Sequence, residues 1–326
     1  MKIAIYGAGA IGSYLGVRLH QAGAEVSLIA RGSQLAAMKA NGVTLKTEEE
    51  TVTARPFVTG DAGEAGPQDF VFIALKGQDL PKAASDIARL MGPDTTLVTA
   101  MNGIPYWYLH GIDSPLAGRT LQSVDPGGMI ALALPPDRVI GSVLYPWAEV
   151  IAPGVAEQST SNRFVMGEPD GSESARIRRL TGVMNAGGLD APITRDIRTE
   201  IWLKLWGNLC FNPLSVLTGA TIDRLTSVPD LLDLERAMML EAETVANALG
   251  ISFPYGVEKR IEITAMAGAR KTSTLQDFER GKPLEIEPLL GAVVELGDLA
   301  QVQMPLCRTI LALVRERGRR RIGSSE

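Results

Sequence analysis

Three glycines near the N-terminus are spaced to bind a phosphate group. The pattern G-x-G-x-x-G follows a short apolar segment, Lys2–Tyr6, and opens a segment with helical periodicity, Ile11–Gln21. In that context the first glycine permits a tight turn, the second lets the backbone approach a pyrophosphate, and the third lets helix and strand pack closely. The N–H groups and dipole at the helix start attract the anion, whereas the alternative interpretation is a plain tight turn. The loop comprises Gly7, Ala8, Gly9, Ala10, Ile11 and Gly12.

The residue after the second predicted strand, Glu25–Ala30, indicates which dinucleotide binds. An acidic residue there would accept a hydrogen bond from the ribose 2′-hydroxyl of NAD, but Arg31 stands at this place. Because a guanidinium binds a 2′-phosphate with two hydrogen bonds, the sequence predicts NADP(H). Lys76, directly after the apolar segment Phe70–Leu75, is a second candidate cation. For both residues the alternative is an ordinary surface cation.

A lysine and two asparagines follow at intervals of four residues in an apolar segment. Lys204, Asn208 and Asn212 share one face of the helix predicted over Arg198–Leu217, because positions i, i+4 and i+8 form a single stripe. Their neighbours are mostly apolar, so these polar groups carry a desolvation cost unless they meet partners. Two interpretations stay open at this point: the three side chains satisfy one another in the core, or they face a polar cleft and contact a ligand.

Carbonyl reduction would explain a lysine at that place. A nicotinamide supplies a hydride to the carbonyl carbon, and the developing alkoxide needs a proton. A lysine beside the oxygen can donate that proton and stabilise the negative charge, and partial burial would lower its pKa toward working pH. The two histidines, His20 and His110, lie in no motif and are interpreted as structural residues.

Two acidic residues begin the next apolar segment. Glu285 and Glu287 stand at the start of a helix predicted over Leu284–Ala300, where a carboxylate gains from the helix dipole. That capping role is one interpretation. The other is that Glu285 pairs with Lys204 or orients a substrate hydroxyl.

The segments around these residues predict two domains. Apolar strands alternate with helices in the first half, which favours a parallel doubly wound sheet. Short segments follow and are interpreted as strands that extend the sheet, partly antiparallel, and a last strand is expected at Leu189–Thr194. The remainder is predicted to be helical, with the boundary near Asp196–Arg198. The extending strands are expected at Gly128–Leu134, Val139–Leu144 and Arg163–Met166, and the helices after the boundary at Arg198–Leu217, Leu231–Leu249, Val257–Ala267, Leu284–Ala300 and Pro305–Glu316.

Composition excludes several classes of protein. The chain has 326 residues, of which 45% are hydrophobic and 21% charged, as in an ordinary soluble globule rather than a disordered chain. A net charge of −5 gives no reason to expect nucleic acid or an anionic membrane as a partner. There is no apolar run of about 18 residues and no signal-peptide pattern, and two cysteines form no disulfide framework. We therefore expect a cytoplasmic protein with no metal site.

These residues together resemble the ketopantoate reductase (2-dehydropantoate 2-reductase) family, within the wider group of 6-phosphogluconate-dehydrogenase-like proteins. The match covers nearly the whole chain in the same motif order, and the segment Glu200–Leu214, similar to the family's signature helix, is its most specific part. The resemblance implies that Lys204 is the general acid and that Asn208 and Asn212 contact the substrate's polar groups.

Shorter motifs carry the rest of the resemblance. Met101-Asn102-Gly103 resembles an Asn-Gly motif whose asparagine lies beside nicotinamide and substrate. Ser273 looks like the family serine at the substrate carboxylate, and Glu285 like the glutamate that holds the substrate hydroxyl. The glycine loop is similar to the family's dinucleotide loop, and Arg31 to its 2′-phosphate clamp. Lys76 stands where the family has a Leu-Lys pair after a central strand.

The sequence thus predicts a two-domain α/β enzyme. A Rossmann-type NADP-binding domain over residues 1–196 precedes an all-helical substrate-binding and catalytic domain over residues 197–326, with the active site in the cleft between them. The expected reaction is NADPH-dependent reduction of a 2-oxo acid, first of all ketopantoate to pantoate. The expected partner is this small molecule, and a homodimer is left open.

Three features leave alternatives open. The segment Tyr106–Tyr108 is more aromatic than expected for pantoate-pathway members and favours a related NADP-dependent hydroxyacid dehydrogenase with a different 2-oxo acid. The insert Pro146–Ser161 is interpreted as a pocket or contact element, and the arginine-rich tail Arg315–Glu326 as a solvated, frayed end or else a phosphate-binding segment. A non-catalytic NADP(H)-binding sensor is a further alternative, and Lys204 and Glu285 argue against it because a sensor has no need of a proton donor.

Overall fold

The computed structural model describes residues 1–323, and its contacts divide the chain into two compact units. Unit 2 is discontinuous, because two short stretches that precede residue 128 belong to it together with the C-terminal part of the chain. Unit 1 comprises Met1–Met101, Tyr106–Ile112 and Gly128–Ile197; unit 2 comprises Asn102–Pro105, Asp113–Gly127 and the chain from Arg198 onward.

Unit 1 contains the strands and the first six helices of the chain. The strands are β1 (Lys2–Tyr6), β2 (Glu25–Ile29), β3 (Val43–Lys46), β4 (Thr51–Ala54), β5 (Phe57–Thr59), β6 (Gln68–Ile73), β7 (Met91–Thr99), β8 (Val139–Leu144), β9 (Ala148–Ala152), β10 (Val155–Gln158) and β11 (Phe164–Gly167). The helices are α1 (Ala10–Gln21), α2 (Gly32–Asn41), α3 (Ala62–Ala65), α4 (Leu80–Ile87), α5 (Met129–Ala133) and α6 (Ala175–Ala186).

The main sheet of unit 1 has seven strands in the order β11-β8-β7-β6-β1-β2-β5. The six neighbouring strands β8, β7, β6, β1, β2 and β5 are parallel to one another, and β11 runs antiparallel to β8. Strands such as β1 and β6 are apolar along their length because both faces of a doubly wound sheet are covered, and Ile3, Ile5, Phe70 and Phe72 are almost fully buried. The predicted fold class is confirmed. The carboxyl ends of β1, β2 and β6 adjoin at one edge, where Gly7 donates its N–H to the Ile29 carbonyl at 3.1 Å.

A second, four-stranded sheet in unit 1 was not predicted. Its order is β4-β3-β10-β9, and α1 packs against it. The insert Pro146–Ser161 supplies β9 and β10, which form an antiparallel pair, and β10 pairs in parallel with β3. The insert is therefore part of the scaffold of unit 1.

Two of the predicted strands are not strands. Gly128–Leu134 contains the helix α5, entered through Gly127 and Gly128 with φ of 71° and 72°. A short apolar run does not distinguish helix from strand, and Met, Ala and Leu are good helix formers. Leu189–Thr194 makes only isolated bridges to the main sheet among the described residues, since Pro192 has no N–H with which to continue a ladder.

Unit 2 is helical in the part of the chain that the structure describes. The long helix α7 (Ile197–Thr218) lies against α9 (Pro229–Ala248). The Trp206 indole donates to the Met239 carbonyl at 2.8 Å, and its ring stacks on Phe253 at 4.0 Å. The segment predicted as one helix over Leu284–Ala300 begins instead with a π-helical turn, Glu287–Gly291. The helices are α7 (Ile197–Thr218), α8 (Ile222–Ser227), α9 (Pro229–Ala248), α10 (Val257–Ala265), α11 (Ser273–Glu279), α12 (Ala292–Leu299) and α13 (Pro305–Gly323).

The arginine-rich segment is helical rather than frayed as far as Gly323, while residues 324–326 lie outside the described part. Arg317 donates to the Val216 carbonyl at 2.9 Å, and its guanidinium lies 5.1 Å from the centre of the Phe278 ring. These contacts tie α13 into unit 2. Along residues 1–323, every helix is too short or too polar to span a bilayer.

Candidate active site

The three glycines of the phosphate loop differ in what the fold demands of them. Gly7 has a φ of +108°, and a Cβ there would lie 2.5 Å from the Ala74 carbonyl oxygen. A Cβ on Gly12 would lie 1.8 Å from the Gly7 carbonyl oxygen. Gly9 has an ordinary φ of −75°, and apart from Gly9 itself and its two neighbours in the chain, no heavy atom of residues 1–323 lies within 4 Å of its Cβ position. The fold therefore requires the first and third glycines, and Gly9 leaves open space at the start of α1 that fits a pyrophosphate.

The strand β2 ends beside an exposed arginine. Arg31 directly precedes α2, and its Nη2 donates to the Tyr6 hydroxyl at 2.8 Å. The same hydroxyl donates to the carboxylate of Asp86 at 2.8 Å. Burial and Asp86 raise the pKa of Tyr6 to about 12, so the hydroxyl keeps its proton at neutral pH. Lys76 follows β6 and opens the turn Gly77–Asp79.

The side chain of Lys204 is held within unit 2. It projects from α7, is part-buried, and donates from Nζ to the Asn102 side-chain oxygen at 2.7 Å. Burial lowers the pKa of Lys204 from 10.5 to about 8, and the negative charge of Glu285 acts in the opposite direction. The structure thus brings together Lys204, Asn102 and Glu285, three of the predicted site residues. A lysine with such a pKa can donate a proton near neutral pH.

The position of Asn102 depends on the glycine that follows it. Gly103 has a φ of +85°, and a Cβ there would lie 2.3 Å from the carbonyl oxygen of Pro288. The neighbouring Ile104 N–H donates to that same oxygen at 2.8 Å. The backbone at the Asn-Gly pair therefore lies too close to the π-helical turn for a side chain at position 103, and this contact holds the asparagine beside Lys204. Sequence reasoning did not find this role for Gly103.

The two glutamates before α12 have different environments. Glu285 is only 4% exposed and acts electrostatically on Lys204. Glu287 lies in the π-helical turn and makes an ion pair with Arg315, whose Nε donates at 2.7 Å. The interpretation as an acid at a helix start fits Glu287, whereas Glu285 is buried with the lysine.

The remaining predicted residues lie on α7 and at the start of α11. Asn208 follows Lys204 by one turn, and Asn212, one turn further, is buried. Ser273 is exposed as the first residue of α11, and its neighbour Thr272 caps that helix. Thr272 is hydrogen-bonded to Ser215 of α7 at 2.6 Å, which holds the start of α11 against the end of α7. No sequence pattern had pointed to this hydroxyl pair.

The aromatic segment after the Asn-Gly pair belongs to the core of unit 1. Tyr106, Trp107 and Tyr108 are buried, with exposures of 7%, 1% and 2%. The Trp107 indole donates to the Thr99 hydroxyl at 3.0 Å, and the Tyr106 hydroxyl donates to the Leu134 carbonyl at 2.9 Å. Since these rings are used in packing, the segment is not in itself a sign of a larger substrate.

Comparison with known proteins identifies relatives over the whole chain. The family model described as "Ketopantoate reductase PanE/ApbA" matches residues 3–171, and the model of its C-terminal part matches residues 196–318. A 2-dehydropantoate 2-reductase of Mesorhizobium japonicum is 48% identical over 97% of both chains.

Solved structures agree with that result. A protein of Ralstonia solanacearum MolK2 superposes with a TM-score of 0.93 at 39% identity, and the match covers 98% of both chains. A D-mandelate dehydrogenase solved with NADH and anilino(oxo)acetate superposes with a TM-score of 0.83 over 98% of this chain and 99% of its own. At 22% identity this second likeness shows the shared fold alone.

Proposed function

The chain belongs to the ketopantoate reductase family, and from that premise we propose that it reduces 2-dehydropantoate to pantoate with NADPH. It is an oxidoreductase of the Rossmann-like type, as its 48% identity to a 2-dehydropantoate 2-reductase and the matching family models indicate. The observation that carries the proposal is the 2.7 Å hydrogen bond between Lys204 and Asn102 in a site shared with Glu285.

The proposed role of Lys204 is general acid. A bound reduced nicotinamide supplies the hydride that adds to the carbonyl carbon. Lys204 donates a proton from Nζ to the carbonyl oxygen, which becomes the hydroxyl of the product. Asn102 accepts one of the three N–H bonds of the ammonium group and so orients the other two. Glu285 favours the protonated form of the lysine, because its negative charge raises the pKa of Lys204.

Three further residues are proposed to hold the substrate. Asn208 and Asn212 carry both donors and acceptors and follow Lys204 on α7, which suits a polar ligand. Ser273 presents a hydroxyl at the start of α11, where the helix N-terminus favours the substrate's carboxylate. Replacing each by alanine is expected to raise KM for the 2-oxo acid more than it lowers kcat.

The proposed cofactor is NADPH rather than NADH. Arg31 stands where an NAD-binding fold usually has an acidic residue, and a guanidinium there suits a 2′-phosphate. Lys76 is proposed to add a second positive charge, and the open space at Gly9 supports binding of the diphosphate. Arg31→Ala is expected to weaken NADPH binding far more than NADH binding, and equal weakening of both would contradict the assignment.

The proposed reaction is tested with purified protein, NADPH and a panel of 2-oxo acids, comparing the wild type with Lys204→Ala and Lys204→Arg. Loss of a general acid costs about 100-fold to 10,000-fold in kcat. Arginine keeps the positive charge but does not release a proton at neutral pH, so Lys204→Arg is expected to be nearly as inactive as Lys204→Ala. Lys282→Ala, at another lysine of unit 2, serves as the control.

Each outcome of this panel has a clear meaning. Undiminished kcat in Lys204→Ala removes Lys204 from the mechanism. If kcat/KM is higher for another 2-oxo acid than for 2-dehydropantoate, that acid becomes the assigned substrate and the reaction class stays the same. Tight NADPH binding without turnover of any acid favours a non-catalytic sensor.

We also propose a cytoplasmic location. The support is chemical: Cys210 and Cys307 are both free thiols, which suits a reducing compartment.

A further inference from the structure

Two residues behind Arg31 form a hydrogen-bonded series with it that no motif had indicated. We propose that Tyr6 and Asp86 are positioning residues that hold the Arg31 guanidinium ready for the 2′-phosphate and thereby set the preference for NADPH. This inference rests on the proposed function, because it deepens the assignment of Arg31 to the 2′-phosphate.

The direction of the hydrogen bonds makes Tyr6 a fixed acceptor for the arginine. A tyrosine hydroxyl has one proton, and here the proton is donated to Asp86 at 2.8 Å. The phenolic oxygen can then only accept, and it accepts from Nη2 of Arg31 at 2.8 Å. One of the five N–H bonds of the guanidinium is used in this way, which leaves four for a ligand.

The acceptor is rigid although the arginine is exposed. Tyr6 is the last residue of β1 and is only 2% exposed, so its ring cannot change rotamer without disturbing the sheet. Asp86 lies on α4, whose residues Ala83 and Ile87 are buried. A long exposed side chain is thus tied to a point fixed by two elements of unit 1. Since an arginine loses rotamer freedom when it binds a ligand, holding it beforehand lowers the cost of binding.

A second arginine offsets part of the negative charge of Asp86. Asp86 accepts from Nη1 of Arg89 at 2.9 Å, and Arg89 also pairs with Asp61 at 2.7 Å. The negative charge of Asp86 is therefore shared with Arg89, and the hydroxyl of Tyr6 stands between that carboxylate and Arg31. Arg31 keeps its charge for a dianionic phosphate.

The opposite interpretation is that Arg31 rests on Tyr6 only while no nucleotide is bound. In that case the hydrogen bond must break on binding, and removing it would leave the affinity unchanged or raise it. The two interpretations therefore predict different effects of the same substitution.

The test measures equilibrium binding of 2′,5′-ADP and 5′-AMP by calorimetry, which needs no turnover. Tyr6→Phe removes the hydroxyl and keeps the ring. We expect it to weaken binding of 2′,5′-ADP by about threefold or more, which corresponds to the lower end of the net contribution of one hydrogen bond, and to change binding of 5′-AMP by less than about twofold. Asp86→Ala is expected to act in the same direction. Tyr14→Phe, at another buried tyrosine of unit 1, is the matched control and should change neither affinity.

A double-mutant cycle links the effect to Arg31. In the Arg31→Ala background, Tyr6→Phe should have no further effect on 2′,5′-ADP. Thermal unfolding of each variant verifies that the fold is kept. Unchanged or tighter binding of 2′,5′-ADP by Tyr6→Phe overturns the proposal, as does an undiminished effect of Tyr6→Phe in the Arg31→Ala background.

The same measurement separates this inference from the cofactor assignment. If the wild type binds 2′,5′-ADP no better than 5′-AMP, the assignment of NADPH falls, and the positioning role falls with it. If the wild type prefers 2′,5′-ADP and Tyr6→Phe retains the full preference, only the positioning role falls.

Discussion

The lowered pKa of Lys204 has a direct kinetic consequence. A general acid must be protonated, and burial places the pKa of Lys204 at about 8. We expect kcat for the reduction to be constant at lower pH and to fall as the pH rises through about 8. A pH profile of kcat under saturating substrate and NADPH measures this.

Glu285 provides the control for that profile. Its charge raises the pKa of Lys204, so Glu285→Gln should move the fall in kcat to lower pH. A profile that stays flat well above pH 8, or a shift to higher pH in Glu285→Gln, would contradict the assigned roles.

A second ionisable residue should govern stability rather than catalysis. Glu235 on α9 is fully buried, neither of its carboxylate oxygens has a hydrogen-bond partner among residues 1–323, and burial raises its pKa well above 4.5. The folded protein therefore keeps this proton at a pH where the unfolded chain has released it. Below pH 4.5 the group adds no pH dependence to stability. Above pH 4.5 the free energy of unfolding decreases by up to about 1.4 kcal/mol per pH unit until the folded-state pKa is reached.

Glu235→Leu removes that titration. We expect the melting temperature of the variant, relative to the wild type, to increase as the pH rises above 4.5, until the folded-state pKa of Glu235 is reached. Calorimetric scans in one buffer series measure the difference. A difference that does not change with pH would mean that Glu235 is ionised in the folded protein.

At the scale of single residues, the sequence allowed prediction of those site residues whose type or spacing is unusual. Lys204 was identifiable because a buried lysine on an apolar helix carries a desolvation cost and is unusual there. The family resemblance pointed to Asn102 and Glu285 as substrate contacts, and the pairing of Glu285 with Lys204 was one of two alternatives. Tyr6 gave no such signal, since a tyrosine at the end of a buried strand fits ordinary packing. Its link to Asp86 depends on α4 lying beside β1, and that is a property of the fold.

The phosphate loop allows a prediction for a whole element, because its glycines have separable roles. Gly12→Ala places a Cβ 1.8 Å from the Gly7 carbonyl oxygen and should destabilise the start of α1 and unit 1. Gly9→Ala meets no described atom within 4 Å and should fold normally. If a pyrophosphate occupies the space at Gly9, however, that variant should bind NADPH at least about tenfold more weakly.

Melting temperatures and NADPH titrations of the two variants show whether Gly12 serves folding and Gly9 serves cofactor binding. Gly182→Ala on α6 is a matched control, because its added Cβ also meets nothing within 4 Å and lies away from the loop. It should be slightly stabilising, by about 0.5–1 kcal/mol, and bind NADPH as the wild type does. Normal NADPH binding by Gly9→Ala would contradict the assignment of the space at Gly9 to the pyrophosphate.

Elements with strong local signals were predictable, and elements defined by distant partners were not. The strands β1, β6 and β8 are continuous apolar runs, and α7 has a clear helical periodicity. The small sheet combines β3 and β4 with β9 and β10 from far along the chain, and its strands are short and half polar. The segment Gly128–Leu134 was misassigned because helix and strand are equally compatible with so short an apolar run.

At the scale of the whole molecule, the two cysteines report on the opening of unit 2. Cys210 and Cys307 are fully buried, and burial raises the pKa of both thiols. Neither should react with Ellman's reagent in the folded protein. Both should react over the urea range in which the helical circular dichroism signal is lost, because labelling requires unfolding of the core that surrounds them.

Reaction of either thiol within minutes in native buffer would contradict this picture. A midpoint of labelling at clearly lower urea than the loss of the circular dichroism signal would mean that unit 2 opens before unit 1. The homodimer that the sequence left open stays a prediction, and sedimentation of the native protein tests it.

The discontinuity of unit 2 decides how this molecule can be divided. Asn102–Pro105 and Asp113–Gly127 belong to it, and Glu295 of α12 accepts hydrogen bonds from the Gln122 and Ser123 backbones at 2.7 and 2.8 Å. A gene fragment that starts at Arg198 would encode Lys204 without Asn102. Chimaeras assembled from two relatives with a single crossover at that point would combine a lysine from one parent with an asparagine from the other, so recombination should exchange all three stretches together.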